Sequence, residues 1–518
     1  DEDQSLPRPA AMTETHEETI LARTARGANW MIAWRLGNRV LGLVSMLVLL
    51  RLLAPEDFGL ITLAFSFSQA LETFTTLGVE AQIIRSRNAD RDLYDTGFTF
   101  NALRSVLLAV LVALGSGPVA IWFGEPRLRA LLLAIAAHVF LKGIGSIRTV
   151  AFQRDIAFHK VFVLQMVPRI VQIVANIGFA LLLRTYWAIV IGTFAAGISG
   201  LVLGYVMAPY RPRLTVVAWR ELLGVSVWTW LINVAVVLRD RTEMAIIGRS
   251  FGVVAAGLYS IAIELAALPV TELVSPISQV AMPGFAAGLR EQGMSQAGVA
   301  FLRVTALAVL LAVPMGVGTS LVSGPFISLA IGQRWAEAAP LMAVVAILLV
   351  PSAPGLIAGA LLTARAKLKT LCAITAAAAV LRAGLAITVT RHYGLMGIVL
   401  GMGVLLVIEN AALLLAACRT SGAKPRRIMA ASWRPVVAAG AMVFALKGAG
   451  LAWLPPPSAA PEAATALISA GALGAAAFAA VLTGLWLLAG RPQGAETDAL
   501  MMSRRSLAGI VAKLRRGG

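Results

Sequence analysis

The chain has 518 residues, 58% of them hydrophobic and 14% charged, and carries a net charge of +18. A soluble protein has roughly 25% charged residues, and a mean hydropathy of +0.81 leaves too little polar surface to clothe several soluble domains. Those values exclude a water-soluble protein, and long apolar runs without strict alternation argue against an outer-membrane barrel. The basic residues sit in short segments between the apolar runs, where membrane topology wants them, so the positive charge does not point to nucleic acid. Two cysteines, Cys372 and Cys418, each lie near the end of an apolar segment and make neither a disulfide framework nor a metal cluster.

Residues 1–27 are mixed, polar and partly acidic, without the apolar core of a signal peptide, and read as a short disordered cytoplasmic lead. Apolar spans follow near 30–50, 58–80, 101–123, 128–147, 161–183, 186–208, 222–242, 251–275, 301–323, 338–363, 371–391, 394–417, 433–454 and 465–489. Many of them meet the length of about 20 residues that crosses a bilayer as helix. The second is the least hydrophobic, with Gln69 and Glu72, and the seventh is interrupted by charge, so twelve or thirteen spans is an alternative to fourteen. The segments after even-numbered spans hold twenty Lys and Arg residues against ten after the odd-numbered ones. That bias puts the first set, and both termini, in the cytoplasm. The external segments are short, and the basic tail RRSLAGIVAKLRRGG suits an anionic lipid surface.

The middle of the chain, Asn233 to Glu272, holds two apolar runs with RDRTE between them. Ions at that depth are expensive unless they face a cavity or a partner, which predicts two comparable halves with a polar interior. A faint internal echo supports this: GLITLAFSFSQALE from Gly59 resembles GLYSIAIELAALPV from Gly257. Repeated bundles and chance similarity both account for it.

Several polar groups stand inside spans. Arg35 and Arg39 are one turn apart on one helix face, and two guanidinium forks opening toward water suit a phosphate. The alternative is that both are positive-inside anchors. Glu72 lies in the second span, Arg104 opens the third, Glu264 and Glu272 stand on the eighth, Arg382 on the eleventh and Glu409 in the twelfth. Arg382 and Glu409 have compatible depths and can pair between helices, structurally or functionally. A carboxylate in a cavity could also take a proton or cation and couple its gradient to movement. Pro168, Pro269, Pro314 and the PSAPG run from Pro351 can kink helices. Enzyme signals are poor: the four histidines have no metal-site spacing, there is no phosphate-binding loop, and Asp90-Arg91-Asp92 reads as solvated loop rather than a glycosyltransferase DxD.

RLLAPEDFGLITLAFSFSQALETFTTLGVEAQIIR, the run from Tyr94 to Phe98 with Asn101, and IIGRSFGVVAAGLYSIAIELAALP followed by ISQVAMPGFAAG resemble the bacterial polysaccharide biosynthesis flippases. These are lipid-linked oligosaccharide exporters of the multidrug/oligosaccharidyl-lipid/polysaccharide exporter superfamily. The resemblance covers most of residues 27 to 420. It implies an all-α polytopic membrane protein of about 14 transmembrane helices, with two six-helix bundles around a central cavity plus two C-terminal helices. On that frame the bundles are 28–210 and 211–420, helices 13 and 14 occupy 421–490, and 491–518 is a basic cytoplasmic tail. The implied activity is translocation of undecaprenyl-diphosphate-linked oligosaccharide repeat units across the plasma membrane by alternating access, with no covalent chemistry and no cofactor beyond a proton or sodium gradient. A polysaccharide polymerase and a chain-length regulator are the implied protein partners. The family commonly has Asp where Glu243 stands, and Arg241 and Thr242 replace Asn or small residues, so the local charge pattern is not fully typical. Arg35 and Arg39, with Arg104, Arg239 and Arg241, are the candidates to replace the hydration of the diphosphate. Glu72, Glu243, Glu264, Arg382 and Glu409 are the candidates for ion coupling or gating. The rivals are a cation-coupled drug exporter of the same superfamily, which would favour acids over arginines, and a membrane glycan polymerase or acyltransferase, which would want reactive residues beside a large external loop. A non-transporting scaffold would have no reason to keep polar groups at mid-span.

Overall fold

A computed structural model describes residues 10–75, 78–86, 90–222, 227–291, 293–389, 393–492 and 494–498. Among them there is helix and turn, and no strand. In chain order the helices are α1 (Ala10–Leu52), α2 (Pro55–Phe74), α3 (Val79–Arg85), α4 (Arg91–Phe123), α5 (Arg127–Gly143), α6 (Ala151–Arg154), α7 (Phe158–Leu183), α8 (Trp187–Met207), α9 (Trp219–Leu222) and α10 (Val227–Pro269). They continue as α11 (Ser275–Glu291), α12 (Gly293–Leu321), α13 (Ser323–Ala330), α14 (Ala338–Leu348), α15 (Ser352–Ala364), α16 (Leu368–Val389), α17 (Gly394–Ser421), α18 (Pro425–Gly448) and α19 (Ala460–Leu488). Among the described residues, 10 segments are long and apolar enough to cross a membrane, or 12 when two bent pairs each count as one span. One pair is α5 with Ile147–Arg154, bent by 65°, and the other is α14 with α15, bent by 47° at the PSAPG run.

The outer faces are as apolar as the interior. Ile121 is 82% exposed, Leu182 78% and Phe444 78%, which water would penalise heavily and acyl chains do not. The protein is therefore an all-α bundle whose solvent is largely hydrocarbon, a multi-pass membrane protein.

Two boundaries differ from the sequence reading. α1 reaches back to Ala10, so residues 10–27 are helical rather than an unstructured lead, while residues 1–9 lie outside the described residues. The stretch EETILARTAR is rich in good helix formers, which explains the extension. The second difference is at RDRTE, read as an interruption between spans seven and eight. α10 runs straight through it, and the break falls instead at Gly252, with φ 83° and ψ 177°. Glycine alone enters that backbone region without strain, whereas the RDRTE charges find partners without leaving the helix. Beyond Pro269 a π-helical turn, Val270–Val274, leads into α11. Proline removes an amide donor and crowds the preceding turn, and the wider turn absorbs both effects.

The chain divides into two units by backbone contact, one holding α1 and α3–α9, the other α2 and α10–α19. α2 falls within 28–210 in sequence yet packs in the second unit. The core of the first unit joins Val79 and Ile83 of α3, Leu93, Tyr94 and Phe98 of α4, and Ile147, Val150 and Leu222. Phe285, Phe301, Ile357, Leu361, Leu413 and Ile428 centre the core of the second.

In the first unit the start of α4 secures the connecting segment that follows α8. Asp90 caps α4 by accepting from the amide of Leu93 at 2.9 Å, so the DxD-like tripeptide is a helix start. Asp95, 1% exposed, accepts from the Tyr210 hydroxyl and from the amide of Arg213, 3.1 Å away. The Thr99 hydroxyl accepts from the amide of Thr215 at 3.0 Å, and that of Thr96 accepts from the amide of Ala218 at 3.2 Å. A loop has no ladder of its own to satisfy these amides, and α4 supplies the acceptors. Burial first, and the bond to Asp95 second, push the Tyr210 hydroxyl well above its usual pKa, so it remains a donor.

Candidate functional site

Helical geometry sorts the charges of RDRTE. Arg239 and Glu243 are four residues apart and share a face, whereas Arg241, two residues from each, points elsewhere. On the shared face lies a buried network built from α10, α16 and α17. Arg239 Nη1 meets Glu409 Oε1 at 2.6 Å, and its Nε meets Asp240 Oδ1 at 2.8 Å. Arg382 stands between two carboxylates, with Nη1 3.4 Å from Glu243 Oε2 and Nη2 3.5 Å from Glu409 Oε2. The Tyr259 hydroxyl, beyond the Gly252 break, donates to Glu243.

Arg382, Glu409 and Glu243 are 5%, 4% and 7% exposed, too little for water to carry their charge. Among Arg239, Arg382, Glu243 and Glu409 two charges of each sign cancel, and the third carboxylate, Asp240, is 48% exposed, which makes these ions tolerable in an apolar bundle. Satisfaction is incomplete even so. Arg382 Nε and Nη2 and Glu409 Oε2 are buried and make no hydrogen bond. A network with idle donors and acceptors can accept an ion, a proton or a rearrangement at lower cost than a saturated one.

On its other face α10 meets α2. Arg241 Nη1 donates to Ser66 Oγ at 3.3 Å, and Nη2 donates to Gln69 Oε1. Glu264 is exposed on α10, and Glu72 is half-buried near the end of α2. The second unit thus gathers Arg239, Glu243, Arg382 and Glu409 into one network and turns Arg241 away from it.

The remaining arginines belong to the first unit. Arg35 is exposed and Arg39 half-buried, both on α1, and Arg104 Nε donates to Thr75 Oγ1 at 3.0 Å. A further residue escapes sequence reasoning. Arg169 lies in the middle of α7, where Nη1 donates to Gln172 Oε1 at 2.8 Å. Gly42, three residues beyond Arg39, makes room for it: a β-carbon there would sit 3.0 Å from Arg169 Nη2. The available signal was an arginine inside the apolar run FVLQMVPRIVQIV. Tyr259 was also missed as a partner of Glu243, being visible only as the tyrosine of GLYS. Among the described residues no group of His, Cys, Asp and Glu could hold a metal ion.

This arrangement can bind and release anions, exchange a proton or swap ion partners between helices; it holds no nucleophile beside a base. Residues 48–340, more than half of the chain, match the family model described as polysaccharide biosynthesis protein. The succinoglycan biosynthesis transport protein ExoT of Rhizobium meliloti (strain 1021) is 23% identical over 333 residues, 64% of this chain and 67% of that one. The lipopolysaccharide biosynthesis protein WzxC of Escherichia coli (strain K12) is 22% identical over 357 residues, 67% of this chain and 71% of that one. Among solved structures the fold is similar to the inward closed conformation of the lipid II flippase MurJ, with a TM-score of 0.69 and 13% identity, over 88% of this chain and 99% of that one. The chain belongs to the polysaccharide biosynthesis protein family.

Proposed function

We propose that the protein carries an undecaprenyl-diphosphate-linked oligosaccharide repeat unit from the inner to the outer leaflet of the plasma membrane, for an exopolysaccharide or capsule, by alternating access. The observation that carries this reading is the set of arginines inside apolar helices, Arg39, Arg169, Arg239, Arg241 and Arg382. A diphosphate must cross about 30 Å of hydrocarbon, and fixed guanidinium forks replace its hydration on the way. The relatives' names, which speak of succinoglycan transport and lipopolysaccharide biosynthesis, agree with such a cargo.

In this reading Arg35, Arg39 and Arg104 receive the diphosphate on the first unit, with Arg239 and Arg241 on the second, and Glu243, Arg382 and Glu409 couple its passage to a proton or sodium ion. The protein has fourteen spans, counting α2 as one and dividing α10 at Gly252, arranged as two six-helix bundles and two further helices. Both termini are cytoplasmic, as the twofold bias of Lys and Arg favours. A polymerase and a chain-length regulator act on the delivered unit.

The test is translocation of a fluorescent polyprenyl-diphosphate oligosaccharide in proteoliposomes, comparing wild type with Arg39→Lys and Arg39→Ala. Charge without the fork leaves Lys partly active, and Ala loses roughly tenfold or more, the effect of one charge-assisted contact. Equal activity in all three at equal protein levels removes Arg39 from the site. Absence of translocation by the wild type, together with export of cationic drugs, overturns the function.

A further inference from the structure

The segment that joins α8 to α9 is neither helix nor strand, yet its path is fixed. Tyr210 stands edge-on to Phe98 of α4, with ring centroids 6.4 Å apart. Leu222, at the end of α9, is 1% exposed in the core of the first unit. Between these two anchors the amides of Arg213, Thr215 and Ala218 donate to Asp95, Thr99 and Thr96 of α4. A segment whose amides are held by side chains of one helix cannot turn over to hide the groups on its other side.

That other side is apolar and basic at once. Leu214 is 79% exposed, Val217 75%, Val216 56% and Trp219 43%. Arg211, Arg213 and Arg220 are exposed among them, with the Arg220 guanidinium 5.5 Å from the centre of the Trp219 ring. Glu221 is the one acid between Pro209 and Leu222. Water would oppose four large apolar side chains held out on a fixed segment, and an acyl interior would oppose the arginines. The boundary between the two accepts both. Apolar groups and the indole enter the outer acyl layer there, while flexible arginine stems carry their charge to phosphate. The position agrees, because the spanning helix α8 ends at Met207 and the segment begins at Pro209, level with the headgroups.

We propose that residues 211–220 are a strap that docks on anionic phospholipid of the adjoining leaflet. Leu214, Val216, Val217 and Trp219 enter the acyl boundary, and Arg211, Arg213 and Arg220 bind the headgroup phosphates. Three guanidinium groups with a single acid ask for dense negative charge, and an anionic leaflet supplies it together with the acyl boundary in one surface. The strap lies where the chain passes from the first unit to the second, so the leaflet holds that end of the link. Neither the cargo nor the orientation enters the inference, which needs only that α8 ends at a leaflet.

The experiment uses the full chain with Cys372 and Cys418, both buried and free, replaced by alanine. Leu214→Cys carries an environment-sensitive fluorophore, and the protein is placed in nanodiscs of phosphatidylcholine with or without phosphatidylglycerol. Both leaflets are then alike, so orientation does not matter. Quenching by lipid with a spin label near the top of its acyl chain reads the docked fraction. Phosphatidylglycerol should raise the quenching and shift emission to the blue, and 1 M salt should undo much of this, because the Debye length falls to about 3 Å. At the phosphatidylglycerol content that gives half-maximal quenching, Arg211→Gln, Arg213→Gln and Arg220→Gln should each lower the docked-to-free ratio about fivefold. That factor is equivalent to roughly 1 kcal/mol per basic residue beside an anionic surface. Arg129→Gln, at the other end of the α4–α5 hairpin, should leave the ratio unchanged. Equal quenching with and without phosphatidylglycerol overturns the proposal, leaving the strap a plain acyl contact. Absence of quenching in both overturns it in favour of a protein partner, and so does an equal effect of Arg129→Gln, which makes the response one of net charge alone.

Discussion

Replacing Arg382 by glutamine removes the cation that two buried carboxylates share. Glu409 keeps Arg239 at 2.6 Å, but Glu243 is left with the Tyr259 hydroxyl alone among its named partners. A charge pair at 3.4 Å is worth roughly 5 kcal/mol at an effective dielectric of about 20, before desolvation is subtracted. Breaking a buried pair by removing one partner costs about 3–5 kcal/mol, and that is the expected loss for Arg382→Gln. Arg239 provides the contrast, because its side chain is 21% exposed and its second partner, Asp240, is 48% exposed. Solvent screens that pair, so Arg239→Gln should cost about 1–2 kcal/mol, between the exposed and buried limits. Arg382→Gln with Glu243→Gln removes a charge of each sign and should recover most of the single-variant loss. The assay is the apparent denaturant midpoint of the purified protein in mild detergent, followed by tryptophan fluorescence. Equal stability of Arg382→Gln and Arg239→Gln, or a double variant weaker than Arg382→Gln, would refute the reasoning.

Further outcomes follow from the charge bias and from the segment that α4 secures after α8. Single cysteines at Arg213 and Lys367 should resist a membrane-impermeant thiol reagent in intact cells, and ready labelling from outside would reverse the proposed orientation. Asp95→Ala strips acceptors from Tyr210 and Arg213, about 2–3 kcal/mol of local stability, so trypsin should cut at Arg213 and Arg220 at least tenfold faster. Because the Tyr210 pKa is raised in the fold, its share of this protection holds below the unfolded value of about 10 and is lost above it; Tyr210→Phe should lack that alkaline loss.

Some of this architecture was legible and some was not, for identifiable reasons. Composition and span length yield a helical membrane protein without any tertiary information. The Arg382–Glu409 pair follows from depth alone, since two ions at matching levels of neighbouring spans have few other ways to be tolerated. Separating Arg239 from Arg241 needed RDRTE to be recognised as helix; taken as a link, it hides the two-residue spacing that sends them to different helices. Glycine at 252 was visible, but only the left-handed backbone there shows it to be the break. Asp95 was readable as a motif member and not as an anchor, because its partners lie 115 and 118 residues away. The same holds for Arg169, whose environment depends on Gly42 of another helix.

Charge conservation gives the proposed coupling its physical form. An anion that takes Arg239 or Arg382 from the network must displace Glu409 or Glu243, and a displaced carboxylate in an apolar bundle stands uncompensated. The least costly escape is for that carboxylate to gain a proton or a small cation as the anion arrives. Departure of the anion then restores the original pairs and expels the proton or cation. Arginine suits this exchange better than lysine, because its donors hold two acceptors at once and can pass from one to the other without leaving both. Arg382, bridging Glu243 on α10 and Glu409 on α17, is already in that posture. The Tyr259 hydroxyl ties the same network to the segment of α10 beyond Gly252, where Gly257 meets α2. Release of Glu243 therefore acts on the segment of α10 that carries Gly257, so the ion exchange reaches the helix that packs on α2.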